Sequence, residues 1–185
     1  GSRPLPCMTL LWPADLLQIA KSIEAAKKYN GPVYIRLTGG TDIIYEEDFI
    51  YEIGKSIVLQ KGEKVALLAT GSIVSQTLKA AEILKKYGII CTVIDMHTVK
   101  PLDTEMLEKL AGYELVVTVE EHTIIGGLGS AVAEYYACRA QRPRQCLIGI
   151  NDFYPHPGNY EYLLEECGLT SEKIAERVMK VYAER

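Results

Sequence analysis

The sequence lacks the surplus of basic residues that a nucleic-acid-binding surface needs. Its 20 lysine and arginine residues are outnumbered by 24 aspartate and glutamate residues, which gives a net charge of -4. Because DNA and RNA phosphates must be neutralised by clustered cations, no nucleic acid is expected as a partner. The sequence also lacks the run of about 20 apolar residues that a membrane-spanning helix requires, so no membrane association is expected.

Cysteine and histidine are few and scattered. The five cysteines are odd in number and never form a CxxC pair, and we expect no secretory segment. This usage is typical of reduced, mostly buried thiols, and it predicts a cytoplasmic protein. The three histidines, His97, His122 and His156, lie far from one another and from any pair of cysteines, so no metal site is expected.

Several catalytic motifs are missing as well. The sequence contains no Ser-His-Asp order, no Walker loop and no EF-hand pattern. Its hydrophobic share of 48% and charged share of 24% are those of an ordinary globular protein. From these features alone, the chain is a globular domain, and no single motif identifies its chemistry.

Residues 3–38 predict one β-α-β crossover, after a Gly1-Ser2 pair that resembles the remnant of a purification tag. Met8–Leu11 and Val33–Leu37 have strand patterns, and Pro13-Ala14-Asp15 starts a helix between them. A unit of this size cannot cover both faces of its own sheet, so it is expected to be the remnant of a larger domain. Residues 39–54 carry Gly39-Gly40 and an acidic run, and are interpreted as a solvated linker rather than a binding loop.

Residues 55–185 alternate strands and helices and predict a complete α/β domain. Lys61-Gly62 lies between two strand patterns, which suggests a hairpin that places an antiparallel strand at the sheet edge. The remaining strands are continuous apolar runs, typical of a sheet covered on both faces. We therefore expect a three-layer sandwich with a five-stranded, mostly parallel sheet. The expected strands are Ser56–Leu59, Val65–Ala69, Ile89–Ile94, Leu115–Val119 and Cys146–Ile150, and the expected helices are Ile73–Tyr87, Thr104–Leu110, Gly129–Ala140, 160–166 and 171–184.

The stretch from Val119 to Val132 is the most informative in the chain. An apolar strand ends in three polar residues, and a glycine turn then opens a helix. This order builds sites at the carboxyl edge of a parallel sheet. The turn departs from GxGxxG and no acidic residue follows at the distance that a ribose contact needs, so a tight turn against another backbone is favoured over a phosphate site. The residues assigned to a domain or subunit boundary are Glu120, Glu121, His122, Gly126, Gly127 and Gly129.

Three weaker motifs each allow a chemical and a structural interpretation. Ala69–Ser72 could bind an anion, but helix capping by its hydroxyls explains it as well. Asp95 and His97 could form an acid/base pair, yet no nucleophile lies nearby in sequence and local structure is favoured. His156 lies in a proline-rich loop and is not expected to be a ligand.

Taken in order, these blocks resemble the C-terminal domain of the transketolase family, and residues 8–38 resemble the end of its pyrimidine-binding domain. The pattern is most similar to the C-terminal half of split transketolases. Deoxyxylulose-phosphate synthase and the beta subunits of 2-oxoacid dehydrogenases are related alternatives. The blocks are Ala69–Ser72, Ile94-Asp95 with Val99–Asp103, Val119–His122 with Gly126–Ser130, and an ending with Phe153, Gly158, Leu163-Leu164, Gly168-Leu169 and Ile174.

The resemblance implies a thiamine-diphosphate enzyme that transfers ketol groups between sugars, with Mg²⁺ or Ca²⁺ as the metal. In the family, a glutamate early in the pyrimidine domain activates the cofactor, and a separate domain with a Gly-Asp-Gly motif holds its diphosphate and metal; neither feature is found here. The chain is therefore expected to bind no cofactor and to be inactive alone, as a scaffold for the remaining domains or an N-terminal subunit within a homodimer. A stand-alone interaction module with no enzyme attached is the other interpretation.

One position departs from the pattern. Relatives that act on sugar phosphates place an arginine shortly after the strand equivalent to Val33–Leu37, and the aligned residue here is Gly39. Since a phosphate clamp needs a guanidinium or a similar donor, either the alignment slips or the substrate is not a phosphorylated sugar. We predict that Arg36 and Thr38 lie next to the substrate.

Overall fold

The computed structural model describes residues 2–40, 42–46 and 48–184. Eight strands and six helices alternate along this part of the chain. No helix within it is long and apolar enough to cross a membrane. The strands are β1 (Thr9–Leu11), β2 (Val33–Ile35), β3 (Ile57–Gln60), β4 (Val65–Ala69), β5 (Thr92–Asp95), β6 (Thr98–Lys100), β7 (Leu115–Thr123) and β8 (Arg144–Ile150), and the helices are α1 (Leu16–Lys28), α2 (Ile73–Lys86), α3 (Thr104–Lys109), α4 (Leu128–Ala137), α5 (Tyr160–Glu166) and α6 (Ser171–Ala183).

A five-stranded sheet forms the centre of the fold, with strand order β3-β5-β4-β7-β8. Strand β3 pairs antiparallel at one edge, and the other three pairings are parallel. All five residues of β4 are buried because the sheet is covered on both faces, which is why this strand is continuously apolar in sequence. The predicted five-stranded, mostly parallel sheet with one antiparallel edge strand is confirmed.

Alternate residues of the central strands enter two separate cores. Val65, Leu67 and Ala69 pack with residues of α2 and α6 on one face. Ala66 and Leu68 pack with residues of α3 and α4 on the other. This alternation follows from the two-residue period of a strand and confirms the three-layer sandwich.

The predicted hairpin at Lys61-Gly62 is wrong. Strand β3 is hydrogen bonded to β5, not to β4, so the connection must pass the beginning of β5. Gly62 makes this passage possible, since a Cβ atom there would lie 2.2 Å from the carbonyl oxygen of Ile90. The glycine therefore permits a close backbone approach rather than a two-residue turn.

A second sheet, of order β2-β1-β6, joins the two halves of the chain. Strand β1 pairs parallel with β2, and its other side pairs antiparallel with β6, which lies within the range assigned to the second unit. Strand β6 was missed in the sequence because it has three residues, too few to show a period. The first unit is therefore not a separate β-α-β layer but shares a sheet with the second.

The linker is more tightly held than the sequence suggested. Its Tyr45 side chain is buried and donates a hydrogen bond to Asp95 Oδ2 at 2.5 Å. Asp15 Oδ2 accepts from the backbone N–H groups of Ile44 and Tyr45, both at 2.9 Å, while Asp15 Oδ1 caps α1 by accepting from Gln18 N at 2.8 Å. The expectation of a solvated connection is therefore wrong for Ile44 and Tyr45. The buried Asp15 carboxylate binds both this segment and the first turn of α1.

We predict that Asp15→Ala lowers the free energy of unfolding by about 3 kcal/mol, since it removes a helix cap worth about 1 kcal/mol and leaves two linker N–H groups without an acceptor. Thr170→Ala is the matched control, because Thr170 caps α6 through Lys173 N alone, and its expected loss is about 1 kcal/mol. Urea unfolding measures both. Equal losses would contradict the anchoring role of Asp15.

Candidate functional site

The carboxyl ends of β2, β4 and β7 meet at one edge, where polar side chains form a connected network. Ser72 Oγ donates to Glu121 Oε2 at 2.6 Å and lies 2.6 Å from Thr38 Oγ1. The Tyr160 hydroxyl donates to the same Glu121 oxygen at 3.0 Å. The network thus ties together the end of the first unit, the turn before α2, the end of β7 and the start of α5.

This network changes the interpretation of Ser72. The sequence favoured a capping role for the hydroxyls of Ala69–Ser72, but Ser72 makes no side-chain capping bond to α2. Its hydroxyl is engaged with Glu121 and Thr38 instead. Gly71, whose φ is +72°, turns the chain between β4 and α2 and so presents the Ser72 hydroxyl to β7.

Glu120 precedes Glu121 on β7 and is fully buried. Its carboxylate accepts hydrogen bonds from Leu128 N at 2.7 Å and Gly129 N at 3.1 Å. These are the first two N–H groups of α4, whose N-cap residue Gly127 has no side chain that could cap them. Strand β7 thus supplies the cap of the following helix.

His122 lies next to the buried Glu120 carboxyl group. Its Nε2 lies 3.1 Å from Glu120 Oε2, and its Nδ1 lies 2.8 Å from the carbonyl oxygen of Thr123. Because that carbonyl can only accept, Nδ1 carries a hydrogen, whereas Nε2, although close to the carboxyl group, makes no hydrogen bond among the described residues. Burial raises the pKa of Glu120 to about 7, against the two N–H donors, and burial lowers the pKa of His122 to about 4. Burial therefore favours the neutral form of both side chains.

The glycine turn is shaped by these two side chains. A Cβ atom at Gly127 would lie 2.0 Å from Glu120 Oε2 and 2.3 Å from His122 Cε1. Gly129 is equally constrained, by Leu147 and Thr118, whereas Gly126 has a φ of +75° and open space around it. The sequence predicted that this turn packs closely against another backbone. In the structure, Gly127 packs closely against the side chains of Glu120 and His122 instead.

Arg36 and Trp12 lie beside His122, at the edge of a cleft of about 220 Å³. The Arg36 guanidinium carbon is 5.3 Å from the centre of the Trp12 ring, and the Trp12 and His122 ring centres are 4.2 Å apart. The six boundary residues assigned from sequence, together with Arg36 and Thr38, therefore occupy one junction between the two sheets. Thr38 belongs to the hydroxyl network, and Arg36 belongs to the cleft.

The structure does not bring Asp95 and His97 together as an acid/base pair. Asp95 accepts from Gln18 Nε2 at 2.7 Å and from Tyr45, and burial raises its pKa to about 7. His97 Nδ1 is 2.9 Å from Thr98 Oγ1, and burial lowers its pKa to about 4. His156 lies elsewhere, exposed, with its Nδ1 next to Glu166. The favoured structural interpretation of these residues agrees with their contacts.

Two residues of the junction were not found from the sequence. Trp12 follows an ordinary strand pattern, and Tyr160 begins a short helix, so neither carries a local signal. The only available hint is that Trp12 is the one tryptophan of the chain and directly follows the first strand.

The chain belongs to the family of the transketolase C-terminal domain, whose sequence profile matches residues 54–174. A Methanocaldococcus jannaschii protein named as a transketolase C-terminal section is 42% identical over 181 residues, which cover 96% of this chain and 57% of that protein. The 1-deoxy-D-xylulose-5-phosphate synthase of Pseudomonas putida strain F1 is 38% identical over 93% of this chain and 27% of its own length. This chain thus spans little more than half of the first relative and about a quarter of the second.

A solved structure has the same arrangement of elements. The structure described as a split gene transketolase, inactive beta4 tetramer, superposes with a TM-score of 0.87 at 38% sequence identity. The match covers 96% of this chain and 58% of that one. The resemblance to the C-terminal part of transketolases, stated from the sequence, is confirmed.

We predict that Gly127→Ala lowers the free energy of unfolding by about 2–3 kcal/mol, because the added methyl group displaces the Glu120 carboxyl from the N–H groups of α4. Gly126→Ala is the control for backbone strain without a clash, and its expected cost is about 1 kcal/mol. Thermal melts of both variants test this. A larger loss in Gly126→Ala would contradict the packing described for the turn.

The Glu120 pKa also predicts a pH dependence. Between the ordinary carboxyl pKa and about 7, the folded chain keeps a proton that the unfolded chain loses, so this group's stabilisation is complete at low pH and disappears as pH rises through 7. Glu120→Gln cannot titrate there. We expect its stability to rise relative to wild type between pH 5 and 8 in urea unfolding at fixed ionic strength, whereas a falling or constant difference would show that Glu120 is ionised in the folded state.

Proposed function

We propose that the chain is the C-terminal region of a thiamine-diphosphate-dependent transketolase-type enzyme, which transfers ketol groups between sugars. Family membership over residues 54–174, combined with coverage of 57% of the M. jannaschii relative, is the observation that carries this proposal. We assign residues 3–38 to the end of a pyrimidine-binding domain, 39–54 to the linker and 55–185 to the C-terminal domain. The enzyme is cytoplasmic in this proposal.

The cofactor and its metal belong to the rest of the enzyme. Within residues 2–40, 42–46 and 48–184, no group of three or more His, Cys, Asp or Glu side chains is placed to hold a metal ion. The sequence also has no Gly-Asp-Gly segment. These observations support a division of labour in which thiamine diphosphate with Mg²⁺ or Ca²⁺ is bound outside this chain, so no chemical step is assigned to its residues.

The role left to this chain is positional. Glu120 is buried and its carboxyl group is engaged by two N–H groups and His122, while Glu121 accepts two hydroxyl hydrogen bonds. Groups held in this way are poorly placed to exchange protons with a substrate. Glu120, Glu121, His122 and the glycine turn are therefore proposed to set the junction geometry on which the remaining domains, or an N-terminal subunit, and a second copy assemble as a homodimer.

We predict that calorimetric titration of the chain with thiamine diphosphate and Mg²⁺ gives no binding, because the groups that would hold the diphosphate are absent from it. A mixture with the separately produced N-terminal section serves as the positive control and is expected to bind the cofactor and become active. Binding in the micromolar range by the chain alone would contradict the proposal.

Activity assays of this chain mixed with the N-terminal section then identify the reaction. Ketol transfer between sugars is the expected activity. Formation of deoxyxylulose phosphate from a 2-oxoacid and a triose phosphate, or oxidative decarboxylation of a 2-oxoacid, would assign the chain to one of the related enzymes instead. No activity and no association with any N-terminal section would favour a stand-alone interaction module.

A further inference from the structure

A cleft between the two sheets contains cationic groups that the junction network does not use. It has a volume of about 220 Å³, and its lining includes Arg3, Trp12, Tyr34, Arg36, His122 and Gly127. Ligand pockets for whole small molecules commonly start at about 300 Å³, so this cleft has room for a small group rather than a nucleotide.

Arg36 has unused hydrogen-bonding capacity at this position. Its guanidinium is half-buried and rests over the Trp12 ring, and among the described residues it makes no hydrogen bond or ion pair. A guanidinium carries five N–H donors and is always charged, so a half-buried one is normally met by an acceptor. The donors of Arg36 are therefore available to an external anion.

Trp12 contributes its ring to the cleft rather than a hydrogen-bond donor. Only 8% of the residue is exposed, and its Nε1 is closed off from solvent. The hydrogen-bond donors that the cleft offers to a ligand are therefore those of its arginine side chains.

The neighbouring charges permit an anion. Arg3 also lines the cleft, although it is partly occupied by Glu134 and by the carbonyl oxygen of Gly127. The Glu120 carboxyl group lies 3.1 Å from His122, and burial favours its neutral form by raising its pKa to about 7. The cleft thus presents two guanidinium groups to a ligand, with its acidic neighbours either paired or buried.

We propose that this cleft binds a small oxyanion, of the kind carried by a phosphate ester, a sulfonate or a carboxylate, with Arg36 as its main donor. The site is formed within this chain and does not require thiamine diphosphate. It is therefore separate from the proposed enzymatic function, and it would stand if that function were disproved.

The single tryptophan makes the test direct, because emission at Trp12 reports on this cleft alone. The chain is titrated with inorganic phosphate, methanesulfonate and acetate, each against sodium chloride at matched ionic strength. We expect a saturable change in emission with at least one oxyanion in the millimolar range, and none with chloride. The anion that binds most tightly identifies the source of the group: a phosphate ester, a sulfonate, or a carboxylate.

The variants separate charge from geometry. Arg36→Gln should weaken binding roughly tenfold or more, and Arg36→Lys, which keeps the charge but not the forked donors, should fall between it and wild type. Arg139→Gln is the matched control, since Arg139 also covers an aromatic ring, that of Tyr135 at 4.6 Å, away from the cleft.

Calorimetry with phosphate on wild type and on Arg36→Gln gives a readout independent of fluorescence. We expect weaker binding in this variant by calorimetry as well. The proposal is overturned if wild type shows no saturable change, if chloride reproduces it, or if folded Arg36 and Arg139 variants bind equally well.

Discussion

The main chain of Leu10–Trp12 is the part of the structure on which the rest depends, because it is hydrogen bonded on both sides. Leu10 and Leu11 pair with β2 on one side and with β6 on the other. Beyond the strand, Trp12 N donates to His97 O at 2.7 Å, and Trp12 O accepts from Gly71 N at 3.0 Å. A segment held by both halves of the chain fixes their relative position, and the polar junction is assembled around it.

The two carboxyl groups at this junction are held by hydrogen bonds within the chain, which limits their chemistry. Glu121 accepts hydrogen bonds from Ser72 and Tyr160, and Glu120 caps α4 while it lies 3.1 Å from His122 Nε2. Buried networks of this kind are stabilising when every member has a partner and costly when one is removed. Arg36 is the exception among the charged groups, which is why the cleft beside it, rather than the network, carries the inference of ligand binding.

Much of the fold could be predicted from the sequence, because it depends on local patterns. The apolar run Val65–Ala69 and the helix after Ser72 have the periods of their elements, and the glycine turn after β7 has a recognisable order. The failures concern partners that are distant in the chain. Lys61-Gly62 indicates a turn without revealing that β3 pairs with β5, and nothing local links Ser72 to Glu121 or Trp12 to His122. The sequence correctly placed the site at the carboxyl end of β7. The residues that contact it there, Thr38, Ser72 and Tyr160, are distant in sequence and are brought together only by the tertiary structure.

Residue-level hydrogen exchange in the native state tests the central claim, that the two halves form one cooperative structure through the Leu10–Trp12 segment. The amides of Leu10, Leu11 and Trp12 are compared with those of Ala66 to Leu68 in β4. If the claim holds, both sets open with free energies that agree within about 1 kcal/mol, as expected for one cooperative unit. Exchange of the first set at an opening free energy lower by about 3 kcal/mol or more would show that the first unit unfolds independently, and would contradict the account.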